Sequence, residues 1–282
     1  AVIELDLSTI ESMIALPFHP SNAYPIRTLN ENAADLLRGV EREAERLFGK
    51  GRLDLVSKLK NGRLHADQGV IAGCAGGLFD NLCDAAAVLS AGSCNGFSLS
   101  VYPGSAPVEL ALMENGVLSS LLRAGAVAKP AFCGPCFGAG DVPQNNGLSV
   151  RHTTRNFANR EGSKPDGGQL AAVALMDARS IAATALAGGA ITAATELDVE
   201  YPRRPYRFDP SIYNARVYNG FANPKPSEPL VFGPNIADWP AIPALGENLL
   251  LELCAVIRDP VTTTDELIPS GETSSYRSNP EK

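Results

Sequence analysis

Residues 132–141 read FCGPCFGAGD, a stretch in which Cys133 and Cys136 stand two residues apart with Gly and Pro between them. This spacing is compatible with three kinds of site: a redox dithiol, half of a zinc site, or two ligands of an iron–sulfur cluster. The three kinds differ in what must surround the pair of cysteines. The residues in the rest of the sequence must therefore show which kind of site is present.

The residues around the pair argue against the first two kinds of site. A thioredoxin-type dithiol needs a helix directly after the second cysteine, but residues 137–147 read FGAGDVPQNNG, which is too rich in Gly, Pro and Asn to predict one. A structural zinc ion usually needs a second pair of Cys or His at matching spacing. The histidines are instead scattered, at His19, His65 and His152. The residues favour a cluster and leave the dithiol and the zinc site as open alternatives.

A cubane cluster would need a third cysteine from elsewhere in the chain, and Cys74 is the candidate. It lies in AGCAGG (72–77), at the end of an apolar stretch that is predicted to be a strand. The glycines allow close approach of the backbone and supply free N–H groups for hydrogen bonds to sulfide. The other three cysteines fall within or beside apolar segments and are predicted to be small buried hydrophobic residues: Cys83, Cys94 and Cys254.

Short apolar stretches alternate with helical patterns between residues 30 and 189, which predicts an α/β fold with a parallel sheet and helices on both faces. Strands are predicted at 68–74, 97–105, 126–132 and 170–176. Helices are predicted at 30–51 (capped by Asn30 or Asn32 and stopped by Gly49), at 78–92, at 106–125 with a break near Gly116, and at 177–189 after the cap Asp177. Sites in such sheets form at the carboxyl ends of the strands, where Cys74 and Cys133 lie.

The bulk composition limits the partners of the chain. Its 282 residues are 45% hydrophobic and 20% charged, with a net charge of −7, as is ordinary for a globular protein. The acidic balance argues against a nucleic-acid surface, which needs clustered Lys and Arg. No apolar run approaches the roughly 20 residues of a membrane span, and the six cysteines do not form the dense framework of a small secreted domain. We therefore expect a cytoplasmic protein with no membrane partner.

The chain changes character after residue 200. Nine of its 21 prolines fall within 201–245, which predicts a linker that wraps around the preceding domain. The apolar stretch LLLELCAVI (249–257) is predicted to be a buried strand at the start of a second domain. We expect this domain to be incomplete, and the chain to be a piece of a longer protein.

Two arginines suggest a binding site for carboxylates. Arg155 and Arg160 lie five residues apart in RHTTRNFANREGSKP (151–165), a stretch with little apolar content that is predicted to be a loop. The planar fork of each side chain can grip a carboxylate through two hydrogen bonds. A pair of solvated surface arginines is the alternative interpretation.

Several motifs, taken in order, resemble those of the aconitase superfamily: GVIAGC, YPGS, CGPCFG, TRNFANR and TTTDELIPSGETSSYR. The segment ELDLSTIESMIALPFHP also resembles the one before that family's third domain, so the resemblance covers essentially the whole chain. It implies a three-layer α/β iron–sulfur domain over 1–200, a linker over 201–245 and the beginning of a swivelling fourth domain over 246–282. Its closest similarity is to an aconitase-like hydratase rather than to aconitase itself.

The resemblance also implies the chemistry. It makes Cys74, Cys133 and Cys136 the ligands of a 4Fe–4S cluster, whose remaining iron acts as a Lewis acid, and it assigns substrate carboxylates to Arg155, Arg160 and Arg277. The parent protein would be a hydro-lyase acting on a hydroxy polycarboxylic acid. The catalytic base is expected in the remaining domains, so the fragment alone would be inactive, and the cluster can be absent from an isolated fragment.

Three departures from the family pattern qualify this expectation. The usual SCTN around the first cysteine is GCAGG here, TTDHIS is TTDELI at Asp265, and Thr154 stands where Asn often precedes Arg-Asn-Phe. These differences put ordinary citrate chemistry in doubt but not the cluster. The alternative function is a non-catalytic aconitase-like module that binds an RNA or a protein partner.

Overall fold

The computed structural model describes residues 2–49, 53–163, 168–229, 231–233 and 241–258. The chain divides into two compact units, Ala1–Arg216 and Val217–Lys282. This division falls inside the proline-rich stretch 201–245. The domain boundaries expected at residues 200 and 245 stay a prediction.

A seven-stranded sheet forms the centre of the first unit. Its strands are β1 (Met13–Ala15), β2 (Ala23–Pro25), β5 (Gln68–Ile71), β6 (Ser98–Val101), β7 (Val127–Ala128), β8 (Leu148–His152) and β9 (Ala172–Met176), while β3 (Leu59–Lys60) and β4 (Arg63–Leu64) form a separate ribbon. The order is β2-β1-β9-β8-β5-β6-β7, with β9 through β7 parallel and β1 antiparallel to both its neighbours. The predicted α/β class with a parallel sheet is confirmed.

Helices flank this sheet. They are α1 (Ile26–Phe48), α2 (Gly73–Gly76), α3 (Phe79–Leu89), α4 (Ala106–Glu114), α5 (Val117–Arg123), α6 (Ala178–Leu186) and α7 (Ser211–Asn214). Gly116 separates α4 from α5 in a left-handed conformation, and the Asp177 side chain accepts a hydrogen bond from the Ser180 N–H at the start of α6, both as predicted. Helices α3 and α6 pack side by side through buried apolar side chains.

Helix α1 begins four residues before the first predicted cap. Its first turn is fixed by burial, because Ile26 and Leu29 are fully buried and the Ile26 N–H bonds to the Ser12 carbonyl at 2.9 Å. Asn32, which the sequence offered as a cap, lies at a kink inside the helix with φ −128° and ψ 25°. Its amide donates to the Thr28 carbonyl at 3.2 Å. The predicted stop at Gly49 is confirmed.

Strand β8 was not predicted, and it shapes the site. It pairs with β5 on one side and β9 on the other, so it occupies the middle of the sheet. Leu148 and Val150 are fully buried in the core. The polar residues Ser149 and Arg151 obscure the strand in the sequence, although both are buried in the fold.

The described residues of the second unit contain neither helix nor strand, so the strand predicted at 249–257 is wrong there. Leu250 and Leu251 are largely exposed, and Cys254 is exposed rather than buried. A strand is stabilised by a hydrogen-bonded neighbour, and none lies among the described residues 217–229, 231–233 and 241–258.

None of the helices formed by the described residues has the length and apolarity that crossing a membrane requires.

Candidate metal centre

Cys74 lies at the carboxyl end of β5, in the one-turn helix α2 that follows the strand. This helix packs tightly against the end of β8, because a side chain at Gly76 would put its Cβ 2.0 Å from the His152 carbonyl oxygen. Gly73 has a φ of +69°, and a Cβ there would lie 3.2 Å from Cys136 Sγ. Close packing therefore explains why glycine stands at positions 73 and 76, where the pattern quoted above has polar residues. Gly73 lets α2 pack against the loop that carries Cys133 and Cys136.

The CGPC stretch forms a 3-10 turn over Gly134–Cys136 after β7. The Cys136 N–H bonds to the Cys133 carbonyl at 3.0 Å, and the Ala139 N–H bonds to the Gly134 carbonyl at 2.9 Å. No helix follows between residues 137 and 147, all of which are described, as the sequence predicted. Cys133 is exposed, whereas Cys136 is 5% exposed. The turn thus presents one thiol to solvent and packs the other against α2.

Cys136 is the point at which the candidate residues meet. Burial raises the pKa of its thiol, and the neighbouring Cys133 adds to this effect. Hydrogen bonds from the backbone and hydroxyl of Thr154 act in the opposite direction and lower that pKa. Thr154 therefore links the cysteine turn directly to the segment that carries the two arginines.

The two arginines differ in their surroundings. Arg160 is only 6% exposed, and its Nη1 donates a hydrogen bond to the Cys136 carbonyl at 2.8 Å, so the interpretation of a solvated surface arginine is wrong for it. Arg155 is half-buried, with Nη1 3.5 Å from the Thr154 hydroxyl. Both side chains stay predictions as carboxylate ligands. The structure places them on one loop beside Cys136.

Asn156 fastens this loop to the N-terminal segment. The residue is fully buried, and its amide nitrogen donates to the carbonyls of Ala15, Leu16 and His19 at 3.2, 2.7 and 3.4 Å. The ring of Phe157 also contacts His19 edge to face, with centroids 5.2 Å apart. The sequence showed neither contact, because the partners lie about 140 residues away.

Asp141 lies at the far end of the loop 133–141 that carries the two cysteines, and nothing in the sequence indicated its role. Its carboxylate accepts hydrogen bonds from Ser100 Oγ at 2.9 Å, Lys129 Nζ at 2.7 Å and the Tyr102 hydroxyl. Burial alone would raise the pKa of Asp141, but the bonds from Lys129, Tyr102 and Ser100 outweigh it and lower that pKa. The loop is therefore tied to β6 and to the residue after β7.

Arg151 lies beneath the same loop and was also missed. It is 1% exposed, and its guanidinium donates to the carbonyls of Pro135 and Asp141, each at 2.6 Å, and to Ser149 Oγ at 2.9 Å. Burial lowers the pKa of Arg151, while the charge of Glu161 is the largest effect that raises it. Glu161 is itself buried, which raises its pKa, and it accepts a hydrogen bond from the Ser163 hydroxyl. A polar core thus supports the cysteine turn from below.

The predicted donors are three free cysteines, and thiols are the ligands that iron–sulfur clusters use. Within the described parts of the chain, no three Cys, His, Asp or Glu side chains are grouped closely enough to hold one ion. In a cubane each thiolate binds a different iron, so the three sulfurs need a wider spacing than the ligands of one ion. A side chain at Gly73 would place its Cβ in tight contact with Cys136 Sγ, so the sulfur would have to move by a few tenths of an ångström to admit it. The three cysteines stay the predicted ligand set.

The remaining predicted residues have separate outcomes. Cys83 and Cys94 are buried in the core, as expected, and burial raises the pKa of Cys83 to about 11. Arg277 and Asp265 lie outside the described residues. A cavity of about 710 Å³ opens beside the arginine loop, where His152, Thr153 and Asp177 form part of its wall.

Fold and site together define a parallel α/β domain that presents cysteines and arginines at the carboxyl ends of its strands. Residues 1–183 match the sequence model of the aconitase family (aconitate hydratase), which is more than half of the chain. The chain belongs to the aconitase family.

Three relatives illustrate this membership. The chain is 29% identical to the 3-isopropylmalate dehydratase large subunit of Clostridium botulinum over 163 residues, which are 57% of this chain and 31% of that protein. It is 32% identical to the 3-isopropylmalate dehydratase large subunit of Thermococcus kodakarensis over 165 residues, which are 57% of this chain and 35% of that protein. It is 33% identical to a mitochondrial homoaconitase of Eremothecium gossypii over 135 residues, which are 45% of this chain and 19% of that protein. The chain thus spans about a third or less of the length of these relatives.

Proposed function

We propose that this chain is the cluster-binding part of an aconitase-like hydro-lyase that adds or removes water in a hydroxy polycarboxylic acid. The observation that carries the proposal is the convergence on Cys136: Gly73 approaches its sulfur, hydrogen bonds from Thr154 act on its thiol, and Arg160 donates to its carbonyl. Three motifs far apart in sequence thereby meet at one edge of the sheet. The names of the relatives, dehydratases and a homoaconitase, support the reaction class.

Under this proposal Cys74, Cys133 and Cys136 hold a 4Fe–4S cluster. When bound, such a cluster supplies a Lewis-acidic iron with no protein ligand, which favours departure of a hydroxyl group. The chain's own residues supply the setting: Gly73 admits the Cys136 sulfur closely, and Arg160 fixes the turn through the Cys136 carbonyl.

The arginine loop would orient the substrate. Arg155 is the more exposed of the two and is therefore the more accessible to a carboxylate, whereas Arg160 is buried and donates to the Cys136 carbonyl. Arg277 is proposed as a further carboxylate ligand. The base that moves the C–H proton would come from parts of the family's fold beyond the residues matched here, so these 282 residues alone would not turn over substrate.

The test of the cluster is anaerobic reconstitution with iron and sulfide, followed by ultraviolet–visible and EPR spectra. Wild type is compared with Cys74→Ala, and Cys83→Ala serves as the matched control because Cys83 is a buried cysteine of α3 away from the site. We expect the broad iron–sulfide absorption in wild type and the control, and its loss in Cys74→Ala. An absorption that survives Cys74→Ala would remove Cys74 from the ligand set.

The arginine role is tested in the full-length parent protein with hydratase kinetics. Arg155→Lys keeps the charge but loses the fork, so we expect kcat/KM to fall about 10- to 100-fold, as expected for a lost charge-assisted bond. Arg38→Lys, on the exposed face of α1, is the control and should leave kcat/KM unchanged. Equal kinetics for both variants would exclude a substrate contact at Arg155.

The second candidate function is a binding module that regulates an RNA or protein partner, favoured by the departures from the family motifs. A gel shift at two salt concentrations distinguishes it, because phosphate contacts weaken steeply as salt rises. Salt-sensitive RNA binding without hydratase activity in the reconstituted full-length protein would support the binding module. Activity without a shift would support the hydro-lyase.

A further inference from the structure

We propose that Arg151 is a positioning residue for Cys136: its buried guanidinium holds the CGPC turn in the shape that packs Cys136 against Gly73. The importance of that shape rests on the proposed cluster function, but the shape itself can be tested without a cluster. Neither the family match nor the names of the relatives assigns a role to this residue.

The contacts of Arg151 span the whole loop. One nitrogen donates to the Pro135 carbonyl, directly before Cys136, and another donates to the Asp141 carbonyl at the far end, both at 2.6 Å. The Ser149 hydroxyl accepts from Nε at 2.9 Å and fixes the rotation of the guanidinium plane. A rigid fork suits two carbonyls held at a fixed separation, which a lysine cannot reproduce. Arg151 therefore sets the distance between the turn and the end of its loop.

Charge balance distinguishes this arrangement from ordinary packing. A guanidinium that is 1% exposed must be compensated nearby, and the carboxylates of Glu161 and Asp141 favour its protonated form. Both carboxylates lie outside strand β8, which carries Arg151. Removing the guanidinium would leave the carbonyls of Pro135 and Asp141 without this donor and Glu161 without its cation. The loop would then lose the tie that keeps Cys136 buried.

Differential alkylation of the metal-free protein tests the proposal. The variants are Arg151→Met and Arg151→Lys, and Arg38→Met is the control because Arg38 is an exposed arginine of α1 that pairs with Asp35. The folded proteins are treated with iodoacetamide, quenched, digested and analysed by mass spectrometry for each cysteine. Cys83 and Cys94 serve as internal reporters, because both are buried in the core far from the turn along the chain. They respond to general unfolding, whereas a loosened turn exposes Cys136 alone.

We expect Cys136 to be alkylated about tenfold faster in Arg151→Met than in wild type, while Cys83 and Cys94 change by less than about twofold, as for a local opening. Arg151→Lys should give an intermediate rate, and it carries the test if the methionine variant does not fold. Cys136 protection equal to wild type in the variants would overturn the proposal. So would a parallel rise at all three cysteines, because Arg151 would then only stabilise the fold.

A second readout relates the turn to the cluster. After anaerobic reconstitution, both Arg151 variants should retain less iron per chain than wild type and Arg38→Met. Failure of the wild-type full-length parent protein to take up iron would refute the proposed function and leave the alkylation result intact. Full iron uptake by a variant whose Cys136 has become reactive would overturn the positioning role.

Discussion

Replacing Gly73 by alanine tests whether the cysteine loops meet where the structure places them. The substitution has two effects: strain from an L-residue at φ +69°, and a Cβ placed 3.2 Å from Cys136 Sγ. The strain costs about 1–2 kcal/mol. It is partly offset by about 0.4–1 kcal/mol, because alanine restricts the unfolded chain. The net loss of stability from the backbone is about 1 kcal/mol, and the contact with sulfur adds to it.

Gly116→Ala is the matched control. Gly116 has a nearly identical φ of +71°, but a Cβ there has no neighbour within 4 Å. Gly116→Ala should therefore lower the melting temperature by about 2–4 °C, the shift that 1 kcal/mol produces in a unit of this size, and Gly73→Ala should lower it by at least as much. Only Gly73→Ala should also displace the Cys136 sulfur, by a few tenths of an ångström.

The assay compares thermal melting with iron–sulfide absorption after anaerobic reconstitution. We expect Gly116→Ala to reconstitute like wild type and Gly73→Ala to reconstitute poorly, because the displaced sulfur no longer matches the positions of Cys74 and Cys133. Equal absorption in the three proteins would refute the reasoning. It would mean that Gly73 does not adjoin the bound cluster.

Three further predictions follow from particular contacts. Asp177→Ala removes the cap on the Ser180 N–H and should cost about 1 kcal/mol, measured by urea unfolding, whereas Asp177→Asn should cost little. Burial acts to raise the pKa of Asp141, but the hydrogen bonds from its three side-chain donors lower that pKa by a larger amount, so the folded value lies below the unfolded value of about 3.9. The stability that Asp141 contributes to the fold is therefore present above the unfolded pKa and is lost as pH falls through the folded pKa. The stability gap between wild type and Asp141→Asn should therefore be constant from about pH 5 to 7 and should begin to narrow below about pH 4; a gap that shows no decrease below about pH 4 would contradict this. Arg160→Gln weakens a charge-assisted bond to the Cys136 carbonyl and should lower the free energy of unfolding in urea by about 1.5–3 kcal/mol; a value equal to wild type would contradict that bond.

Local signals in the sequence were sufficient for most of the fold. The break at Gly116, the cap at Asp177 and the stop at Gly49 each depend on the backbone preference of one residue, so single-residue reasoning located them. The start of α1 was misplaced because burial of Ile26, a tertiary effect, outweighed the capping preference of Asn32.

The site was only partly predictable, for a different reason. The candidate cysteines and loop arginines could be chosen from residue type and motif spacing, and their roles stay predictions. Arg151 and Asp141 are ordinary charged residues in the sequence, and their roles depend on backbone carbonyls and side chains brought together by folding. Asp141 even lies within the stretch first quoted, yet nothing in its neighbours indicates Lys129 or Tyr102 as partners.

The hydrogen bonds of Asn156 have a practical consequence for anyone who shortens this protein. The Asn156 carboxamide donates to the carbonyls of residues 15, 16 and 19, so the loop that carries the arginines is held in place by the N-terminal segment. A recombinant clone trimmed to begin at Ile26 would keep every parallel strand and still release the loop from its anchor. A protease cut near residue 20 would likewise weaken the anchor of the loop, although the cut lies far from Arg155 and Arg160 along the chain.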